Sequence, residues 1–197
     1  MSQPTDLIEA LITRCLQGDQ GGFAELYEQF APAIYRLCYS LLLNRQDAED
    51  VMQEAFVYAF RNLHRYDATR AAFKTWLYTI TLSRCRNLYR RKRLPLLNLS
   101  QLLSPDLPAP KSDGPEACLA QKDAHVALTG ALRELSPTLR EAVILRYGHG
   151  LTYREMAEVI GCPQKTAESR VRLAHDRLRG RLQSEAVLDE WLSVETL

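Results

Sequence analysis
The chain has 197 residues, 46% of them apolar and 25% charged, with a formal net charge of +1 and five cysteines. That length suits one ordinary domain or two small ones, no apolar run is long enough to cross a bilayer, and the opening MSQPTDLIEALITRC lacks the basic-then-apolar layout of a secretion signal. The cysteines (Cys15, Cys38, Cys85, Cys118 and Cys162) are scattered and form no C-x-x-C pair, which argues for reduced thiols and against a zinc framework or disulfide staples.

The near-zero net charge hides a pattern. Residues 1–56 carry three basic and nine acidic side chains, whereas 57–93 carry ten basic and one acidic. Residues 164–181 carry six basic and two acidic side chains, and 182–197 carry four acidic and no basic ones. One acidic and two basic segments predict a protein that touches more than one kind of partner.

In chain order, helical periodicity predicts elements over 6–17, 20–43, 47–63 and 70–92. Pro32 predicts a break or kink in the second, Asn44 closes it, and Asp47 is placed to cap the third. Five prolines between Pro95 and Pro115, set among Ser, Asp and Gly, then interrupt all regularity. Residues 117–135 read as a helix. Another begins at Ser136 and Pro137, and Gly148 and Gly150 mark a turn. Thr152 with Glu155 forms a capping box. The fold class expected is therefore all-α, with two small helical domains (1–93 and 117–182), a flexible Pro-rich linker (94–116) and a C-terminal tail (183–197).

The segment 152–182 carries the sharpest functional signal. Met156, Ala157 and Ile160 line the inner face of a short helix that stops at Gly161. After Cys162 and Pro163, the residues Ala167, Val171, Ala174 and Leu178 recur at steps of four, three and four, leaving a basic outer face. A short helix, a tight glycine turn and a basic second helix describe a helix-turn-helix. Gln164, Lys165, Thr166, Glu168, Ser169 and Arg172 occupy the leading part of the second helix, where base edges come within reach in a major groove. Arg170, Arg177 and Arg179 suit phosphates. A solvated basic helix without a ligand is the plain alternative.

In the first domain, DAEDVMQEAFVYAF opens with Asp47, Glu49 and Asp50, followed by Glu54. These carboxylates fit a helix N-terminus, a metal site built from Asp47, Asp50 and Glu54, or a docking face showing Gln53 and Glu54 beside an exposed Phe56. Residue types alone leave the first and third open. Further on, Phe73, Trp76, Leu77 and Ile80 have the spacing of a core face, while Tyr66, Arg70 and Lys74 sit where stacking and phosphate contacts to single-stranded nucleic acid are possible. Arg90-Arg91-Lys92-Arg93 is an exposed cluster suited to phosphate attraction. The four histidines (His64, His125, His149 and His175) read as surface or edge residues.

Together GGFAELYEQFAPAIYRLCYSLL, DAEDVMQEAFVYAF, FKTWLYTI…NLYRRKR and LRELSPTLREAVILRYGHGLTYREMAEVIGCPQKTAESRVRLAHDRLR resemble the extracytoplasmic-function (ECF) sigma factors of bacterial RNA polymerase, in order around a Pro-rich linker. The resemblance implies that the first domain is similar to sigma region 2. Its acidic helix would dock on the clamp helices of the largest polymerase subunit through Asp50, Gln53 and Glu54, with Asp47, Glu49 and Phe56 as neighbours. Tyr66, Arg70, Lys74, Trp76, Arg84, Arg90 and Arg91 would serve the −10 element. The second domain is similar to region 4, whose helix-turn-helix would read the −35 element through Thr152, Tyr153, Gln164, Lys165, Thr166, Glu168, Ser169, Arg170 and Arg172 while its outside meets the flap of the second-largest subunit. An anti-sigma factor is implied as a further partner. The resemblance implies no cofactor, metal or enzymatic activity, and a cytoplasmic protein. Ser83, Asn87, Lys165 and Glu168 depart from common family residues at DNA-facing positions. A DNA-binding regulator independent of polymerase, and a nuclease or recombinase built on the same reader, are the rival readings; no phosphate-binding glycine loop or nucleophile–base pair supports the enzyme.

Overall fold
The computed structural model describes residues 4–93 and 128–180, with side chains from Leu7 to Lys92 and from Leu128 to Gly180. The expected linker, the expected tail and the first part of the helix over 117–135 lie outside the described residues. Every regular element among the described residues is helical.

Four helices form the first bundle. They are α1 (Pro4–Leu16), α2 (Gln20–Leu42), α3 (Arg45–Arg61) and α4 (Phe73–Arg93), with a 3-10 turn at Leu63–Arg65 before α4. Helix α2 is the spine. Leu26, Phe30, Ile34, Leu37 and Leu41 repeat at steps of four, four, three and four and are all buried. Pro32 does not interrupt it, contrary to the expectation, because the proline lies on the exposed side between Phe30 and Ile34. On that side solvent can reach the carbonyl whose backbone partner the proline removes, while the inward side chains hold both halves in line. Ala48, Ala55 and Ala59 are fully buried, which lets α3 lie close against its neighbours.

The turn between α2 and α3 differs from the sequence reading. Leu43, at φ 54 and ψ 30, is the left-handed residue that ends α2, and its N–H reaches Tyr39 O at 2.8 Å. Asn44 instead starts α3, its Oδ1 accepting from the Asp47 amide at 3.0 Å. Asp47 thus stands at the third helical position, where its charge still meets the helix dipole. Replacing Asn44 with alanine is expected to cost about 1 kcal/mol, read as a lowered urea midpoint.

The second bundle begins with a helix over 128–134, designated α5, followed by α6 (Pro137–Val143). A π-helical turn at Ile144–Gly148 widens the end of α6 before α7 (Tyr153–Ile160) and α8 (Gln164–Arg179). The Thr152–Glu155 capping box is present in both directions, and Gly161, at φ 75, makes the left-handed turn that a side chain would strain. Met156 and Ile160 point inward as expected, together with Val159; Ala157 is only half-buried. Ala167, Val171, Ala174 and Leu178 are all buried.

The two bundles are packed together. Tyr78 of α4 is hydrogen-bonded to His149 Nδ1 across the boundary at 3.0 Å, and Lys74 Nζ lies 3.5 Å from the His149 carbonyl. Arg140 of α6 donates to Leu41 O at 3.1 Å and to Tyr89 Oη at 3.1 Å. His149, expected at a free surface or edge, is therefore part of the contact, because the π turn carries it onto α4. Burial pushes its imidazole down to about 4, helped by the positive charges of Lys74 and Arg36, and pushes the Tyr78 phenol up to about 12.

A depressed histidine makes the packed form lose stability as pH falls. Above pH ~6.5 His149 is neutral whether covered or exposed, so the contact is intact. Between ~6.5 and 4 the exposed ring takes a proton that the covered ring refuses, which weakens the packing by up to about 3 kcal/mol. Opening between pH 7 and 5 by small-angle scattering, suppressed by His149→Phe, is the expected observation.

Candidate nucleic-acid interface
The second bundle carries the reader. Gln164, Lys165, Ser169 and Arg172 are exposed on α8, with Thr166, Glu168 and Arg170 half-buried at the sides. Gln164 Nε2 donates to Glu168 Oε1 at 3.0 Å, so these two present a joined polar group one turn long. Thr152 is exposed, and the guanidinium of Arg146 lies 5.1 Å from the centroid of the half-buried Tyr153 ring. All nine residues expected at the −35 face are thus brought onto α8 and the start of α7. Leu173, absent from that set, is an exposed apolar side chain beside Arg172 on the same helix.

The basic-aromatic segment of the first bundle is divided. Tyr66, Phe73 and Trp76 form one ring cluster, with centroids 5.4 to 5.7 Å apart. Phe73 is buried, whereas Tyr66 and Trp76 keep an exposed edge. Arg70 is exposed in the turn before α4, and Lys74 stands on the first turn of α4. Arg90 and Arg91 are exposed at the far end of that helix. Arg84 is held by the Tyr58 ring, its guanidinium carbon 4.4 Å from the centroid. Ser83 is exposed, and Asn87 accepts a hydrogen bond from Arg90.

The acidic helix sorts its side chains clearly. Asp50, Gln53 and Glu54 are exposed. Asp47 is ion-paired with Lys92 and Glu49 with Arg45. Among the described residues no cluster of three His, Cys, Asp or Glu side chains could hold a metal ion. Phe56, expected as a displayed ring, is instead only 3% exposed. Its place after Ala55 turns it inward, where its ring meets Tyr27 at 4.8 Å and Phe60 at 5.6 Å. The apolar residues shown to solvent are Val57 and Tyr58.

The acidic and basic sites adjoin. A groove of about 100 Å³ between α3 and α4 is lined on one side by Asp50 and Glu54 and on the other by Arg84 and Arg91. Sequence spacing separates these residues by some thirty positions; antiparallel packing of α3 and α4 makes them neighbours. Cys15, Cys38 and Cys85 are buried free thiols and Cys162 is partly exposed, while Cys118 lies outside the described residues.

A helix-turn-helix with a basic reading helix, joined in one chain to a second basic helix flanked by aromatic rings, defines a DNA-binding protein with two separate nucleic-acid faces. Residues 26–94 match the family model for sigma-70 region 2, and residues 125–178 match that for sigma-70 region 4. The chain is 28% identical to the ECF RNA polymerase sigma factor SigW of Bacillus subtilis, over 90% of this chain and 97% of that one. It is 30% identical to the RNA polymerase sigma factor NccH of Alcaligenes xylosoxydans xylosoxydans, over 91% and 96% of the respective chains. The solved structure of CnrH in complex with the cytosolic domain of CnrY superposes with a TM-score of 0.64 at 25% identity, covering 92% of this chain and 96% of that one. The chain belongs to the sigma-70 family and, within it, to the ECF sigma factors.

Among the described residues no helix is long and apolar enough to cross a membrane.

Proposed function
We propose that the chain directs transcription initiation by docking on core RNA polymerase through α3 and placing two DNA-reading faces at promoter spacing. The observation that carries this reading is the exposed row Asp50–Gln53–Glu54, side chains that form no ion pair among the described residues. They would meet the clamp helices of the largest subunit. Val57 extends that row by one turn and supplies an apolar contact.

Tyr66, Arg70, Lys74 and Trp76 would receive the −10 strand. The exposed edges of Tyr66 and Trp76 offer a stacking platform for an unpaired base, with Arg70 and Lys74 at hand for phosphates. Arg84, Arg90 and Arg91 would draw the backbone along α4. The α8 face would read the −35 element, with Gln164 as donor and Glu168 as acceptor toward base edges and Arg170 on phosphate. Neither contact need be strong, because tethering on the polymerase multiplies the two affinities.

The domain roles follow the division at 1–93, 94–116 and 117–182. The activity is binding and strand capture, without covalent chemistry by this chain, and it takes place in the cytoplasm. Control by an anti-sigma factor is supported by the kinship to CnrH, whose structure holds the cytosolic domain of CnrY. Run-off transcription with bacterial core polymerase tests the reading: transcripts that depend on this chain support it, and failure both to join the core and to initiate leaves a polymerase-independent regulator.

A further inference from the structure
Glu141 is an anomaly inside the second bundle. It lies on α6 between Leu139, Ala142 and Val143, all buried, and is itself only 3% exposed. A carboxylate in such surroundings is costly unless a cation meets it. Among the described residues the second bundle supplies none. The cation comes from the other bundle: Arg86 of α4 donates Nε to Oε1 at 3.0 Å and Nη2 to Oε2 at 2.7 Å, a two-pronged pair. The remaining prong, Nη1, reaches the Ile160 carbonyl at 3.2 Å, at the end of α7 beside the helix-turn-helix turn.

This chemistry suits a contact that opens. An apolar residue at 141 would seal the boundary, whereas a paired charge returns to water at little net cost once the bundles separate. When they do, Glu141 becomes a surface carboxylate and Arg86 joins the basic side chains of α4. A guanidinium fork that fits a carboxylate also fits a phosphate. The second bundle moreover rests on Tyr78, so part of the helix assigned to the −10 strand is covered while it is docked.

We propose that the Arg86–Glu141 pair is a reversible latch that closes the chain on itself, Glu141 holding the guanidinium that a promoter phosphate takes in the open chain. The proposal rests on α4 being the promoter-facing helix. It makes Arg86 a DNA contact in its own right and Glu141 an internal competitor of DNA. Anti-sigma control is not required for this inhibition, which is built into the chain. The α3 docking row stays exposed in the closed form, so the latch governs DNA access rather than first contact with polymerase.

The test uses the full chain as wild type, Glu141→Gln, Arg86→Ala/Glu141→Gln and the exchange Arg86→Glu/Glu141→Arg. Small-angle scattering reads closure, and binding of a fluorescent oligothymidylate at several salt concentrations reads phosphate contacts. Glu141→Gln is expected to open the chain, to bind the oligonucleotide about ten-fold more tightly at low salt, and to steepen the salt slope by about 0.7, one further phosphate on a single strand. Adding Arg86→Ala removes the steeper slope but leaves the chain open. The charge exchange closes the chain again without restoring the slope. The latch is overturned if Glu141→Gln stays as compact as wild type, or if it opens with an unchanged salt slope. Assembly with core polymerase is measured in parallel: a wild type that never joins the core removes the sigma reading itself, whereas normal assembly with an unresponsive Glu141→Gln removes only the latch.

Discussion
Replacing Gln53 and Glu54 together by alanine is expected to weaken binding to core RNA polymerase by about a hundredfold or more and to leave the fold untouched. Both side chains are exposed on α3 and make no ion pair among the described residues. Alanine is a better helix former than either, so the helix itself is not weakened. The loss therefore falls on the partner contact, where two residues at about 1.4 kcal/mol each give that factor. Glu49→Ala is the matched control: its carboxylate is already bound to Arg45 at 2.9 Å, and its removal is expected to change core affinity less than about two-fold, the scale of an exposed pair. Fluorescence anisotropy with labelled sigma and titrated core polymerase separates the two. Equal losses in both variants would mean that general negative charge, rather than the Asp50–Gln53–Glu54 row, draws the polymerase.

The second large effect is on stability. Arg140 is buried, and its guanidinium forms no ion pair among the described residues. It donates to Leu132 O at 2.7 Å, Arg133 O at 2.9 Å and Leu135 O at 3.3 Å, and so ties down the end of α5. It also reaches Leu41 O in the other bundle, a carbonyl that the Tyr89 hydroxyl approaches as well. One cation thus serves C-terminal carbonyls of two helices from different bundles. Arg140→Met keeps the length and apolar bulk but takes this donor from Arg133 O and Leu135 O, while Leu41 O keeps the Tyr89 hydroxyl and Leu132 O the Leu135 amide, and is expected to cost about 3 kcal/mol by urea unfolding. Arg140→Lys recovers little, since a point charge cannot serve acceptors that lie in different directions. A loss below about 1 kcal/mol for Arg140→Met would show that water replaces the guanidinium and that the site is not structural.

Arg140 and Glu141 also mark where sequence reasoning stopped. In LSPTLREAVILRY they look like an ordinary solvated pair on a new helix, and Arg86 and Tyr89 look like members of a basic run. Nothing within four residues of any of them reveals a partner. Arg86 meets Glu141 across 55 residues and Arg140 meets Leu41 across 99, contacts that only packing of the two bundles creates, while Tyr89 reaches Leu41 across 48 residues by helix packing within the first bundle. His149 escaped notice for the same reason.

By itself the sequence determined most features whose cause is local. The capping box at Thr152, the glycine turn at Gly161, the inward stripe of α8 and the all-helical fold follow from hydrogen bonds and periodicities that span four residues or fewer. It also placed Gln53 and Glu54 on the exposed side of α3 and a polar, basic outer face on α8, because burial alternates predictably around a helix. Where two local signals competed it misassigned them: Asn44 was read as an end rather than a beginning, and Phe56 as a displayed ring although its turn of the helix points inward. Only the tertiary structure decided that the carboxylates of α3 and the arginines of α4 share one groove, and that the two bundles close over a buried ion pair. Those outcomes depend on which helix faces meet, and on burial that gives a charge its partner, neither of which is written in the spacing of neighbouring residues.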